Sequence, residues 1–274
     1  MELICPVCGG SLTREPQRYI CSAGHCFDRA RQGYVNLLMK QRSRLRGDSA
    51  EMVRARREFL SAGWYRPLLD AAAGMLRPMH PKRIGDIGCG EGWYACTLLE
   101  MLPDAQLTGI DISPEALRYA AVRARENGLA ERTHWAAASV NRLPFDDASC
   151  DLLLNFFAPC EPHEFARVLS PEGALLRAIP LEKHLWELKA AVYDEPYENR
   201  PVLTPPEGFA LTEFRRIEYT MTLTGEHLAN LFAMTPYSRK TARQDADKLS
   251  NLPELTTQAA FGLMLCHPER RNGV

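Results

Sequence analysis

The stretch Asp-Ile-Gly-Cys-Gly-Glu-Gly at residues 86–92 follows a short apolar run and precedes a helical pattern that begins near Trp93. Glycines at a strand-to-helix turn let the backbone approach a ligand closely, and the first helical turn supplies unpaired N–H groups. The next apolar run ends in Asp111, whose carboxylate is placed to accept hydrogen bonds from the ribose hydroxyls of a nucleoside. The pattern predicts a nucleoside-binding site that includes Asp86, Gly88, Gly90, Gly92 and Asp111.

Other ligands of glycine-rich turns fit this stretch less well. Nicotinamide and flavin dinucleotides require a third glycine where Trp93 stands, and a P-loop requires a Gly-Lys-Ser/Thr sequence that is absent. The alternative for Asp86 is a helix or turn cap, and the alternative for Asp111 is a solvated turn residue. The spacing of both acids around the glycines favours a binding site.

Apolar strands and helical stretches alternate on both sides of this turn. Strands are predicted at residues 83–87, 106–110, 133–137, 151–156 and 174–179, with helices at 93–102, 114–127 and 161–169. This alternation is typical of an α/β fold with a mainly parallel sheet and helices on both faces. Residues 209–222 and 259–265 are predicted as an antiparallel pair at the sheet edge, and Ser49 is predicted to cap an earlier helix.

Four of the nine cysteines lie in the first 26 residues. Cys5 and Cys8 are separated by two residues, and Cys21 is followed closely by His25 and Cys26. Such spacing around tight turns suits a tetrahedral zinc ion, and four ligands with no open position indicate a structural site. The spacing favours His25 over Cys26 as the fourth ligand without excluding either. The alternative is a set of free thiols in a small lobe.

The net charge of −1 is unevenly distributed along the 274 residues. Residues 1–57 contain 11 Lys or Arg and 5 Asp or Glu, a balance of +6, and the remainder carries −7. This distribution suggests a localised anionic partner, the alternative being a solvated linker and helix face. The residues concerned are Lys40, Arg42, Arg44, Arg46, Arg54, Arg56 and Arg57.

Membrane and export signals are not apparent in the sequence. No apolar run approaches the roughly 18 residues of a membrane span. The first residues lack the basic and apolar regions of a signal peptide. We therefore expect a cytoplasmic protein with reduced thiols and no membrane partner.

The acidic-x-Gly-x-Gly-x-Gly pattern, followed by Gly-x-Asp at the next strand, resembles class I S-adenosylmethionine-dependent methyltransferases. The resemblance covers roughly residues 82–180, and residues 142–147 are similar to the linker after the third strand in that class. It implies a Rossmann-like sheet and S-adenosyl-L-methionine as cofactor. One departure is Ser139, which stands near the position where the class often has an acid that binds the adenine amino group.

The fourth strand ends in Asn-Phe-Phe-Ala-Pro-Cys at residues 155–160, an end that faces the transferred methyl group in this fold. Methyltransferases acting on exocyclic amines resemble Asn/Asp-Pro-Pro-aromatic there, so an exocyclic amine is disfavoured. Cys160 suggests a thiol nucleophile, but a packed, inert thiol is favoured because nothing indicates a lowered pKa. Of Phe156 and Phe157, one is expected in the core and the other could stack on a base.

The whole chain resembles a narrower family, ribosomal RNA large subunit methyltransferase A, the guanine-N1-methyltransferases of bacterial 23S rRNA. Matching motifs follow one another in order along the sequence. They lie at residues 5–8, 21–25, 27–28, 33–38, 47–52, 62–68, 86–92, 157–160, 184–189 and 234–236.

This family resemblance implies an organisation and a set of contacts. A zinc-binding domain at 1–36 would help to hold an RNA hairpin, followed by a basic linker with helices at 37–80 and a methyltransferase domain at 81–274. Cofactor contacts are implied at Tyr65, at Gly92 and Trp93, and at His184. The resemblance also implies His25 as the fourth zinc ligand, and a homodimer. With an rRNA acceptor implied, we expect the basic residues at positions 40–57 to contact the RNA backbone.

Two other functions are weighed against guanine-N1 methylation of rRNA. One is methylation of another RNA base or a small metabolite, which does not need the zinc lobe. The other is a non-catalytic, zinc-dependent RNA-binding regulator, which would tolerate a damaged cofactor loop. Guanine N1 must lose a proton before or during attack, and candidate bases are His184 and acidic residues near strand ends. The sequence selects none of them.

Overall fold

The protein is described from a computed structural model that covers residues 2–39, 47–238, 248–249 and 251–269. Its first sheet is antiparallel, with four short strands in sequence order. They are β1 (Leu3–Ile4), β2 (Ser11–Arg14), β3 (Arg18–Cys21) and β4 (Cys26–Asp28). We call this sheet and its turns, residues 3–28, the zinc lobe.

The second sheet has eight strands in the order β11-β12-β10-β9-β6-β7-β8-β5. Strands β5 to β10 pair in parallel, whereas β12 is antiparallel to both β10 and β11. The predicted fold class and the antiparallel edge pair are therefore confirmed. The strands are β5 (Val35–Asn36), β6 (Arg83–Ile87), β7 (Gln106–Asp111), β8 (Thr133–Ala137), β9 (Cys150–Phe156), β10 (Leu169–Pro180), β11 (Phe209–Leu223) and β12 (Leu255–Pro268).

Helices cover both faces of the large sheet, as predicted. The structure describes α1 (Ala50–Ser61), α2 (Arg66–Leu76), α3 (Trp93–Met101), α4 (Pro114–Glu126), α5 (Pro162–Val168), α6 (Trp186–Val192) and α7 (Gly225–Met234). Apolar side chains of α5 join one buried cluster, and those of the other six helices join a second cluster. Because side chains alternate along a strand, the two clusters lie on opposite faces of the sheet.

The helix predicted after Ser49 is confirmed as α1, and a second helix, α2, follows it. Ser49 caps α1 as expected, since its Oγ accepts a hydrogen bond from the Met52 N–H at 3.2 Å. The helical conformation is interrupted between α1 and α2 at Gly63, which has φ 84°. Among the residues that the structure describes, no helix is long and apolar enough to cross a membrane.

The zinc lobe packs on the same face of the large sheet as α5. Leu3, Leu12 and Tyr19 share a buried apolar cluster with residues of β5 and β8. The Ile4 N–H donates to the Pro144 carbonyl at 3.0 Å, and the Tyr19 hydroxyl lies 3.0 Å from His134 Nδ1. The boundary predicted at residue 36 stays a prediction.

Candidate active site and metal centre

A cavity of about 990 Å³ opens at the carboxyl ends of β6, β7, β9 and β10. The direction in which successive strands are added reverses at β6. Strands β7 and β8 follow on one side of β6, and β9 and β10 lie on its other side. Ligands of open α/β sheets bind at such a reversal. The cavity wall brings together five of the eight predicted cofactor residues, namely Tyr65, Gly88, Gly90, Asp111 and His184.

The three predicted glycines of the turn all have left-handed backbone conformations, with φ between 56° and 82°. A Cβ added at Gly88 would lie 2.4 Å from the Cβ of Ala158, so only glycine fits there. A Cβ added at Gly90 would meet no atom nearer than the Arg56 Nη1 at 4.0 Å. Gly88 thus allows the loop to pack against residue 158, and Gly90 leaves its backbone open to a ligand.

Asp111 is held against the glycine turn by the backbone. Its Oδ2 accepts a hydrogen bond from the Gly90 N–H at 2.9 Å, and its Oδ1 accepts one from the Ser113 N–H at 2.8 Å. Burial raises the pKa of Asp111, although these two hydrogen bonds oppose the shift. Each carboxylate oxygen can accept a further hydrogen bond, so the group suits a pair of ribose hydroxyls.

The other three predicted cofactor residues, Asp86, Gly92 and Trp93, do not line the cavity. Asp86 is 2% exposed, and burial together with Asp111 raises its pKa to about 8. Its Oδ2 has no hydrogen-bond partner among the described residues. Trp93 is buried, and the next ring along the chain, Tyr94, reaches the cavity instead. Cofactor contacts by these three residues stay predictions.

Tyr65 and His184 meet at another part of the cavity wall, with the Tyr65 hydroxyl 3.5 Å from His184 Nε2. The Ala260 N–H donates to His184 Nδ1 at 3.2 Å, so a neutral ring carries its proton on Nε2. Burial, with a contribution from Lys189, lowers the pKa of His184 to about 3. His184 therefore offers the cavity a neutral N–H donor, which argues against its candidacy as a general base.

We expect His184→Gln to reduce the acid sensitivity of folding. The unfolded state takes up the histidine proton below about pH 6.5, whereas the folded state excludes it until about pH 3, so stability falls as the pH falls. Between about pH 7 and about pH 5, the wild type should lose about 2 kcal/mol more unfolding free energy than His184→Gln. Urea unfolding at both pH values measures this difference. The control is His163→Gln, which replaces an exposed histidine. If His163→Gln and His184→Gln lost the same unfolding free energy between the two pH values, the low pKa of His184 would be contradicted.

The zinc lobe brings together Cys5, Cys8, Cys21 and His25, whose ligand atoms all lie within 4.8 Å of one another. The His25 Nδ1 is 3.6 Å from Cys5 Sγ and 3.4 Å from Cys21 Sγ, and the sulfurs of Cys8 and Cys21 are 3.6 Å apart. Tetrahedral zinc, with bonds of about 2.3 Å to sulfur and about 2.0 Å to nitrogen, separates its ligands by about 3.5–3.8 Å. The four residues fit zinc, and Cys26 is exposed outside the cluster.

Comparison with known proteins places these features in one family. The family profile described as "RlmA, N-terminal" matches residues 3–44, and the profile described as "Methyltransferase domain" matches residues 84–173. A 23S rRNA (guanine(748)-N(1))-methyltransferase of Streptomyces fradiae is 35% identical over 282 residues, which cover 97% of this chain and 96% of that protein. The chain belongs to the 23S rRNA guanine-N1-methyltransferase family.

Two further relatives carry provisional descriptions as 23S rRNA (guanine-N(1)-)-methyltransferases. One, from Micromonospora griseorubida, is 42% identical over 68% of both chains. The other, from Bacillus subtilis, is 32% identical over 92% of this chain and 90% of the relative. The solved YcgJ protein of Bacillus subtilis has a TM-score of 0.52 and 17% identity over 74% of this chain and 98% of its own, and it supports the fold alone.

Two phenylalanines line the part of the cavity that adjoins the end of β9. Phe156 is 6% exposed, whereas Phe157 is 41% exposed and lines the cavity. Phe157 has φ 56°, a conformation that costs free energy for a bulky residue and is often found at functional sites. One phenylalanine is thus core, and the other is free to contact a base.

Cys160 does not have the environment of a nucleophile in this member of the family. Burial raises the pKa of its thiol, with Arg177 opposing the shift and Glu161 adding to it. A thiol with a raised pKa stays protonated near neutral pH and is a poor nucleophile. The interpretation of Cys160 as an inert thiol is supported.

The basic residues grouped by the sequence separate in the structure. Lys40, Arg42, Arg44 and Arg46 lie outside the described residues. Arg54 is exposed, and Arg57 lies over the Tyr119 ring at 5.3 Å. Arg56 instead lines the cavity, forms an ion pair with Asp48 and donates to the Met234 carbonyl at 3.3 Å. An RNA contact by Arg56 stays a prediction, and helix α1 turns its side chain towards the cofactor loop.

Sequence reasoning also missed Tyr94, Glu161 and Arg177, which all line the cavity. Glu161 directly follows the motif at residues 157–160, and Arg177 lies near the carboxyl end of β10. Both are near the sheet edge where ligands bind. That position is the signal that would have identified them.

Proposed function

We propose that the protein transfers a methyl group from S-adenosylmethionine to N1 of a guanine in a hairpin of 23S rRNA. The observation that carries this proposal is the similarity to the Streptomyces fradiae enzyme over 97% of the chain. Two features of the structure agree with this similarity. They are the cavity beside the glycine turn and the four-residue metal cluster.

The cofactor is assigned to the cavity described above, where it supplies an electrophilic methyl group when bound. Asp111 would accept hydrogen bonds from the ribose, and the glycine turn would follow the nucleoside. The Tyr65 hydroxyl and the His184 Nε2–H would bind the polar amino-acid end. The proposed cofactor residues are Tyr65, Asp86, Gly88, Gly90, Gly92, Trp93, Asp111 and His184.

Structural zinc is assigned to Cys5, Cys8, Cys21 and His25. Because these side chains lie between the short strands of the zinc lobe, the ion would fix a segment that has little apolar core of its own. We further propose that the zinc lobe and exposed basic residues such as Arg54 hold the RNA. The homodimer and the cytoplasmic location implied earlier stay predictions.

Two observations disfavour the alternatives. A non-catalytic regulator has no need to keep the glycine turn, yet all three glycines have the left-handed conformation that the turn requires. A metabolite methyltransferase has no need of a metal-binding lobe. In this protein the four ligand atoms of the zinc lobe lie within 4.8 Å of one another.

The test is the nucleoside composition of rRNA from cells with and without the gene. We expect 23S rRNA to lose one 1-methylguanosine when the gene is deleted, as measured by nuclease digestion and mass spectrometry. Wild-type protein should restore the modified nucleoside, and Asp111→Ala, which removes the proposed ribose contact, should not. An unchanged methylation profile, or loss of a different methylated nucleoside, would refute the proposal.

A further inference from the structure

Glu161 is a carboxylate in the cavity wall that no structural role accounts for. It precedes α5, is half-buried, and lines the cavity next to the segment that follows β9. Its side chain caps no backbone group of α5. The carboxylate also has no ion pair or hydrogen bond with any residue that the structure describes, although the backbone carbonyl of Glu161 accepts from the Phe165 N–H at 2.9 Å. A partly buried charge without a protein partner is unfavourable unless a ligand supplies one.

Arg177 faces the same cavity from the neighbouring strand. It lies opposite Asn155 in the parallel β9–β10 pairing, and its Nε donates to Asn155 Oδ1 at 3.3 Å. A guanidinium has five N–H donors, so most of its donors are available. Among the described residues, Arg177 has no carboxylate partner.

Asn155 contacts both the strand that carries Arg177 and the segment that leads to Glu161. It is 1% exposed, and its Nδ2 donates to the Pro159 carbonyl at 3.0 Å and to the Ile87 carbonyl at 3.4 Å. Asn155 therefore fixes the segment leading to Glu161, the end of β6 and the guanidinium of Arg177 at once. It acts as a positioning residue because its polar atoms are used within the protein.

Glu161 and Arg177 lie near each other without pairing. Arg177 lies opposite Asn155 in the β9–β10 pairing, and the Asn155 Nδ2 donates to the carbonyl of Pro159, two residues before Glu161. No ion pair joins them, so a gap separates an acceptor from a set of donors. The gap opens into the cavity that both residues line.

This pair complements the edge of guanine that carries N1. That edge has an acceptor at O6 and donors at N1–H and the N2 amino group. We propose that Glu161 accepts hydrogen bonds from N1–H and N2–H and removes the N1 proton, while Arg177 donates to O6. This inference rests on the proposed function and adds the residues that select and activate the base.

The proposed step balances as follows. The N1 proton moves to the Glu161 carboxylate, and the negative charge left on guanine spreads to O6, where Arg177 stabilises it. The electron pair of N1 forms the bond to the methyl carbon while the carbon–sulfur bond of the donor breaks. The electron pair of the broken bond remains on sulfur, and Glu161 releases its proton to solvent.

The first test is a single-turnover methylation assay with the full-length, zinc-loaded protein and a 23S rRNA hairpin that contains the modified guanine. We expect Glu161→Gln to slow methylation by about 10²–10⁴-fold near neutral pH. The wild-type rate should change little between about pH 7 and about pH 9, because Glu161 and not the solvent takes the N1 proton. The methylation rate of Glu161→Gln should rise about tenfold per pH unit. Without the carboxylate, hydroxide from the solvent must remove the N1 proton, and its concentration rises tenfold per pH unit.

Controls separate this role from a structural one. Glu131→Gln changes an exposed carboxylate at the opposite, amino-terminal edge of β8 and should keep the wild-type rate. Glu161→Asp keeps a carboxylate, so it should be slower than wild type but keep the flat pH profile. Both Glu161 variants should bind S-adenosylhomocysteine with an affinity within about twofold of wild type, which also reports that they fold.

A second test uses the base itself. A hairpin with inosine at the target lacks the N2 amino group, and we expect wild-type methylation to fall by about tenfold or more. Glu161→Gln should be nearly insensitive to this replacement. Arg177→Gln should slow methylation of guanine by about 10²-fold or more without changing cofactor affinity, and Arg177→Lys should recover part of the rate.

The outcomes distinguish the two proposals. If the wild type forms no 1-methylguanosine, the proposed function fails and this inference fails with it. If the wild type forms it and Glu161→Gln keeps the wild-type rate or a flat pH profile, only the inference is overturned. A loss of cofactor affinity as large as the loss of rate would also overturn it.

Discussion

Gly88→Ala is expected to weaken S-adenosylmethionine binding by about 100-fold or more and to abolish methylation. The new Cβ would lie 2.4 Å from the Ala158 Cβ, and φ at this position is 82°. The loop must therefore move, and displacements of about 1 Å in a binding site can cost about 10²-fold in rate. Calorimetric titration with S-adenosylhomocysteine measures the loss of affinity.

Two matched variants isolate the steric cause. Gly208→Ala has a similar φ of 76° but would meet no atom within 4 Å, so it carries backbone strain alone and should bind normally. Adding Ala158→Gly to Gly88→Ala removes the clashing Cβ and leaves the Ala158 Cα at 3.8 Å. The double variant should recover most of the affinity. Binding by Gly88→Ala within threefold of wild type would show that the loop does not form the cofactor site as proposed.

Cys8→Ala should release about one equivalent of zinc per chain and unfold the zinc lobe. Structural zinc contributes about 10–16 kcal/mol in small zinc domains, far more than the free energy that folds such a segment. Hydrogen exchange at residues 11–21 should approach that of an unfolded chain, whereas exchange in α3 should stay slow. Elemental analysis by mass spectrometry gives the zinc content.

Cys26→Ala is the matched control for the zinc prediction. Cys26 is an exposed cysteine of the same lobe that lies outside the four-residue cluster. This variant should keep its zinc and its slow exchange. Zinc retained by Cys8→Ala, or lost from Cys26→Ala, would refute the proposed ligand set. Binding of the rRNA hairpin should weaken in Cys8→Ala alone.

Features encoded by local sequence were predicted well. The strand-turn-helix at residues 83–101 and the metal cluster each depend on residues close together in the chain, so spacing suffices to identify them. The position of Asp111 beside the glycine turn could be predicted because parallel neighbouring strands end at the same edge of the sheet. His25 could be favoured because a four-residue separation from Cys21 suits two ligands of one ion.

Features that depend on packing between distant segments were missed. Arg56 seemed to belong with other basic residues, but the orientation of α1 points it at Asp48 and the cavity. Glu161 and Arg177 are 16 positions apart, and only the β9–β10 pairing brings them to the same edge. The tautomer of His184 depends on the N–H of Ala260, a residue 76 positions away in β12.

The docking of the zinc lobe has a consequence for how members of this family can exchange parts. Leu3, Leu12 and Tyr19 complete an apolar cluster with Val35 and Ala136, so the lobe and the body share one buried interface. A chimera that joins the lobe of one relative to the body of another would bury mismatched side chains. We expect such a chimera to be less stable than either parent unless the residues of both surfaces are exchanged together.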